Sequence, residues 1–213
     1  MERDTKPSIQ TRQSLLSRLK DWGDDDSWRT FFDTYWKMIY DVARRSGLTD
    51  AEAQDAVQET VLSVAKTIPG FKYDASVGSF KAWLLNLSRW RINDQFRKRK
   101  GMVSASSLDG TGEGETDFMD RQPDPGDQKL EVLWDEEWQK HIFEMAQERV
   151  KRQATPKDYQ IFHLWVLRKI PAREVARSVG VNLARVYVAK NRVSSMMKKE
   201  VQRLEKRMSG GEG

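Results

Sequence analysis

FKAWLLNLSRWRINDQFRKRK, residues 80–100, decides how the rest of the chain is read. Wound as an α-helix, it places Phe80, Trp83, Leu84 and Leu87 on one side and Leu85, Ile92 and Phe96 nearly opposite. Such a helix is gripped from two sides. Between the apolar stripes runs a lane of Asn86, Arg89, Trp90, Asn93, Arg97 and Lys100. Guanidinium and ammonium groups pair with phosphates, an indole stacks on a base, and amides read base edges, so the lane suits nucleic acid. A solvated basic face ending in a charge run is the plainer alternative, and this stretch alone leaves both open.

On its N-terminal side the sequence reads as further helices. Leu15, Leu16, Leu19 and Trp22 repeat at helical spacing up to Gly23. Ser27 then reads as an N-cap, with Trp28, Phe31, Phe32, Tyr35, Ile39 and Val42 as a buried stripe and Gly47 as the stop. Thr49 and Glu52 have capping-box spacing and open a third helix that Pro69-Gly70 closes, with Ala53, Val57, Val61, Val64 and Ile68 inward. Its opposite strip carries Asp55, Gln58, Glu59 and Leu62. Solvation explains the first three; Leu62, with no core to join, points to a protein-binding strip. In the loop GFKYDASVGS, residues 70–79, Phe71, Lys72 and Tyr73 sit where an unstacked base can be received, although an ordinary interhelical loop looks similar.

On the C-terminal side, residues 101–128 are rich in Gly, Ser, Pro and acids, including Asp109, Glu113, Glu115 and Asp117, and have the composition of a disordered acidic linker. Leu133, Trp134, Trp138, Ile142, Met145 and Ala146 then mark a helix, and Thr155 followed by Pro156 opens another whose Tyr159, Phe162, Trp165 and Val166 face inward. A helix from about Pro171 to Val179, a turn at Gly180, an N-cap at Asn182 and a long basic helix from Leu183 make a helix-turn-helix pattern. Val186, Ala189, Val193, Met197 and Val201 pack its second helix. Ala184, Arg185, Val188, Asn191, Arg192 and Ser195 are left on the outer face, where a major groove accepts small residues, arginine and asparagine.

Composition narrows the function classes. The 37 Lys plus Arg against 32 Asp plus Glu give a net charge of +5, and the bases gather at Arg89–Lys100 and Arg185–Arg207 while acids fill the middle. Two basic ends suggest two polyanion-binding modules. With Cys 0, disulfides, thiol nucleophiles and thiolate metal sites are excluded. His141 and His163 are isolated in apolar helices, so packing is the expected role, and no metal, cofactor or catalytic residue is assigned. No apolar run reaches the length of a membrane span, and a soluble cytoplasmic protein is expected.

Three segments together resemble one family. Ala53-Gln54-Asp55-Ala56-Val57-Gln58-Glu59, then Gly78-Ser79-Phe80-Lys81-Ala82-Trp83-Leu84, then Asn93-Asp94-Gln95-Phe96-Arg97-Lys98-Arg99 resemble the second conserved region of bacterial sigma-70 factors. The C-terminal pair of helices resembles their fourth region, and the spacing is similar to the extracytoplasmic-function (ECF) group, which lacks the first and third regions. The resemblance implies an all-α, non-enzymatic chain of two small helical domains joined by a flexible acidic linker: residues 1–100, linker 101–128, and residues 129–208 ending in the helix-turn-helix. It implies that Asp55, Gln58, Glu59 and Leu62 dock on the β′ clamp helices of core RNA polymerase. Phe71, Lys72 and Tyr73, with Asn86, Arg89, Trp90, Asn93, Arg97 and Lys100, would recognise and help open the −10 promoter element. The helix carrying Ala184, Arg185, Val188, Asn191, Arg192 and Ser195 would read the −35 element beside the β flap. An anti-sigma factor enters as a further candidate partner. Trp90 departs from the family pattern, standing where asparagine is usual, as do Val61 and Ala65 at positions where aromatics are common. The alternatives are a helix-turn-helix regulator acting without polymerase and a metal-dependent nuclease, the latter disfavoured because Asp24, Asp25 and Asp26 are adjacent rather than convergent.

Overall fold

A computed structural model of the chain describes residues 12–71, 79–99, 101 and 125–209. Among the described residues regular structure is helical throughout: α1 (Arg12–Arg18), α2 (Asp25–Ser46), α3 (Asp50–Thr67), α4 (Phe80–Arg99), α5 (Pro125–Gln153), α6 (Pro156–Phe162) continued by a π-helical turn (His163–Leu167), α7 (Ala172–Val179) and α8 (Leu183–Ser209). The fold is all-α. No helix is long and apolar enough to cross a membrane among the described residues. The chain divides into two compact units, one ending at Trp138 and the other beginning at Gln139.

In the first unit, α2 starts one turn earlier than its sequence suggests. Asp24, not Ser27, is the N-cap: its carboxylate accepts from the Ser27 backbone N–H at 3.0 Å and from the Ser27 hydroxyl at 2.9 Å. Arg18 donates to the same carboxylate at 2.6 Å and 3.0 Å, fastening the end of α1 to the start of α2. These bonds, the one from Arg18 foremost, hold Asp24 at a pKa of about 2. The buried row of α2 is Phe31, Tyr35, Met38, Ile39 and Val42, ended by Gly47 at φ 108°. Trp28 is only half-buried and Phe32 is 42% exposed, stacked on Trp36 at 6.1 Å. Phe32 and Trp36 belong to a separate i, i+4 row turned away from the core. Leu16 of α1 and Leu19 just beyond it are buried, but Trp22, in the turn that follows, is 60% exposed.

The capping box at Thr49 and Glu52 forms as the spacing predicts, a cap commonly contributing about 1 kcal/mol. Helix α4 is then held on both sides: Phe80, Leu84, Leu85, Ser88, Ile92 and Gln95 are all buried. Helix α5 opens at Pro125, inside the stretch that composition marks as linker, where a proline's missing N–H is no loss. Its first half belongs to this unit. Trp138 stacks on Tyr35 at 6.3 Å and on Trp134 at 6.2 Å, Arg45 pairs with Glu136 and Glu137 at 2.5 and 2.9 Å, and Lys81 pairs with Asp135 at 2.6 Å.

The second unit packs α6, α7 and α8 around Ile161, Val175, Val186 and Ala189, with Leu164, Trp165 and Val179 against them. Thr155 caps α6, accepting from the Asp158 N–H at 3.2 Å. The π-turn closes through Arg168 N–H to the His163 carbonyl at 2.9 Å and Ile170 N–H to the Leu164 carbonyl at 3.0 Å. That closure leaves Lys169 at φ 56°. Val166, expected inward, is 37% exposed, because the π-turn rotates it off the α-helical register.

Candidate nucleic-acid interface

The two basic helices present their polar groups differently. On α4, one polar face is taken up by α3. Arg91 Nε donates to Ser63 Oγ at 2.8 Å, Gln95 Nε2 to Glu59 Oε1 at 3.4 Å, and Lys98 Nζ to the same oxygen at 2.9 Å. Arg99 Nε meets Glu52 Oε1 at 2.7 Å, and its second nitrogen donates to Glu52 Oε2. Glu59 holds the Lys98 pKa above its ordinary value, chiefly through that hydrogen bond. Arg99 likewise draws Glu52 down to about 2. Residues along two turns of α4 thus meet Ser63, Glu59 and Glu52, spaced one and two turns apart on α3, building a polar seam largely from cations that the sequence alone leaves on a general basic face.

The lane lies on the same helix as the seam. Asn86, Arg89, Trp90, Asn93 and Arg97 are all half-exposed on α4. Arg89 donates to Asn86 Oδ1 at 3.1 Å, and the Arg91 guanidinium lies 3.8 Å from the centre of the Trp90 ring. One indole face is therefore covered by a cation. Phe71, at the end of α3's closing turn, packs its ring on Trp83 at 4.6 Å. Lys72, Tyr73 and Lys100, also expected on this surface, lie outside the described residues, as does the linker from 102 to 124.

On α3, Asp55, Gln58 and Leu62 are exposed, Leu62 at 53%, whereas Glu59 is half-buried and engaged with α4. Three members of the strip face solvent together; the fourth joins strip and seam.

In the second unit, Gly180 at φ 68° ends α7, and Asn182 Oδ1 accepts from the Arg185 N–H at 2.8 Å to open α8. Val186, Ala189, Val193 and Met197 are buried. Ala184, Val188, Asn191, Arg192 and Ser195 are exposed, Val188 at 59%, and Arg185 is half-exposed. Arg185 and Arg192 are not simply splayed into solvent: both meet Asp158 of α6, which is 1% exposed. Sequence reasoning missed this carboxylate, which lies 27 residues before Arg185 on a different helix.

Comparison with known proteins bears on this arrangement. Residues 31–101, spanning α2 to α4, match the family model described as sigma-70 region 2. No curated protein matches the chain. Among solved structures, that of CnrH in complex with the cytosolic domain of CnrY aligns at 12% identity over 91% of this chain and 98% of that one, with a TM-score of 0.35. The match begins within α2 and takes in α3 and α4, the helices that form the stripe, seam and lane. Through these helices the chain is similar to sigma-70 region 2.

Proposed function

We propose that the chain is an alternative sigma factor of the ECF group that binds core RNA polymerase and directs it to promoters through two DNA surfaces. The carrying observation is the lane on α4: five residues able to bind phosphate, base edge or base face remain at the surface of a helix otherwise consumed by core and seam. In this reading Asp55, Gln58 and Leu62, with Glu59 beside them, dock on the β′ clamp helices. Asn86, Arg89, Trp90, Asn93 and Arg97 hold the −10 element as it opens, together with Phe71, Lys72, Tyr73 and Lys100. Stacking an unpaired base contributes roughly 1–3 kcal/mol, so a few captured bases offset much of local unpairing. The outer face of α8 enters the major groove of the −35 element, beside the β flap, and the linker follows the polymerase channel between the two.

The test pairs Arg89→Ala with Arg97→Ala in one protein. The seam bonds described above come from Arg91, Gln95, Lys98 and Arg99, so the variant is expected to co-purify with core polymerase as the wild type does while open-complex formation falls. Permanganate reactivity of promoter thymines reads the second quantity. Unchanged melting would return the lane to a solvated basic face.

A further inference from the structure

Asp158 is the feature of the second unit that neither the fold nor the proposed function accounts for. A carboxylate 1% exposed is costly to keep charged unless it is paired. Its Oδ1 accepts from Arg185 Nη2, whereas Oδ2 makes no hydrogen bond and faces Arg192 Nη1 at 3.5 Å. Arg185 is thus bound and Arg192 only attracted. The two arginines stand seven residues apart, on one face of α8 two turns long. Both keep an exposed end, their side chains being 39% and 64% accessible.

Packing does not require such a group. A buried ion pair is often matched or bettered in stability by apolar residues of similar volume. The arrangement does suit recognition. A guanidinium has five N–H donors in a planar fork, so one held by a carboxylate still has donors left for a second acceptor. Fixing its plane beforehand removes disorder that binding would otherwise have to remove.

We propose that Asp158 is a positioning residue for DNA recognition: it holds Arg185 ready for the paired acceptors of a guanine edge and leaves Arg192 to reach a phosphate. This rests on α8 being the groove-reading helix. The hydrogen-bonded arginine would read sequence and the loosely attracted one would supply sequence-independent affinity, the division expected between base and backbone contacts.

The experiment uses the full chain with core polymerase and a duplex library containing a randomised block, the bound fraction being sequenced at several salt concentrations. Wild type is compared with Asp158→Asn, Arg185→Ala, Arg185→Lys and Arg192→Ala. Asp158→Asn and Arg185→Ala are expected to lose preference at the same one or two base pairs, by about tenfold, with the rest of the selected motif kept. Arg192→Ala should instead weaken all sequences together and lower the salt slope by about one. If Asp158→Asn retains every preference, or weakens all positions equally, the carboxylate is merely structural and the proposal falls. Should Asp158→Asn fail to fold by circular dichroism, Arg185→Lys decides. It keeps the charge opposite Asp158 but loses the fork, and full retention of preference by it overturns the proposal. Failure of the underlying reading looks different: Arg185→Ala and Arg192→Ala would both bind the library as wild type does.

Discussion

Helices α4 and α8 are both long and basic, yet their cations are held in opposite ways. On α4 the cations nearest the C-terminus are engaged by the acids of a neighbouring helix, and the groups offered to solvent lie on a separate lane. On α8 a single buried acid holds one outward arginine, Arg185, by a hydrogen bond and only attracts the other, Arg192. The difference follows from burial. A helix gripped on two faces has few directions left and separates cations paired within the fold from groups left at the surface, whereas a helix buried along one stripe leaves both arginines outside, above a single acid. A count of basic residues therefore predicts neither which cations stay at the surface nor how rigidly they are held.

The largest effect that tests this contrast is a core truncation. Leu84→Ala in α4 is expected to cost about 2–5 kcal/mol, near the upper part of the range for a buried leucine, because both sides of the helix resist collapse into the void. Leu204→Ala, near the end of α8, belongs nearer the lower part, since the final turns can shift toward solvent. Urea unfolding measures both. An equal cost at the two sites would argue against the two-sided grip.

A smaller effect concerns protons. Glu52 in the fold has a pKa of about 2 against an ordinary 4.5, mainly through its hydrogen bond with Arg99. The folded carboxylate is the stronger acid, so its stabilisation is complete above about pH 4.5 and is lost as pH falls toward about 2. Asp24, lowered from 3.8 to about 2 by Arg18, acts in the same sense. Glu52→Gln should accordingly flatten part of the decline in Tm across that interval, as thermal melts at stepped pH would record. An undiminished slope would mean that the seam's end does not contribute to acid sensitivity.

The smallest effect lies in the second unit, at Lys169. An L-residue at positive φ bears a cost of roughly 1–2 kcal/mol, of which glycine would recover part, less its own greater entropy loss on ordering. Lys169→Gly is expected to raise stability by up to about 1 kcal/mol and Tm by a few degrees. A lowered Tm would show that the lysine side chain compensates for its backbone.

Much of the fold was legible because its signals are local. The Thr49–Glu52 box, the stops at Gly47 and Gly180, the Thr155 and Asn182 caps and the two-sided stripe of residues 80–100 depend on residues within a few positions of one another. So did the outer face of α8, once the helix was placed. The α2 start was less legible because three adjacent acids and a serine compete for one cap, and Arg18, six residues away, helps Asp24 take it. Phe32 misled because a bulky ring is apolar whether or not a partner helix meets it. The seam and Asp158 were hidden for a different reason: each joins residues 27 to 47 positions apart, and no periodicity within one helix reports which acid of another will meet it.

Glu52 joins two chain segments that would otherwise fray independently. The same carboxylate receives the Thr49 N–H at 2.7 Å, the Thr49 hydroxyl at 2.8 Å and the Arg99 guanidinium, while Arg99 also reaches the Gly47 carbonyl at 3.3 Å. The first turn of α3 and the last turn of α4 are consequently expected to open together. Amide hydrogen exchange should register them together, with the slow amides at the two ends losing protection in step when this carboxylate is neutralised. The tip of the basic helix then owes its order to an acid at the beginning of the helix before it.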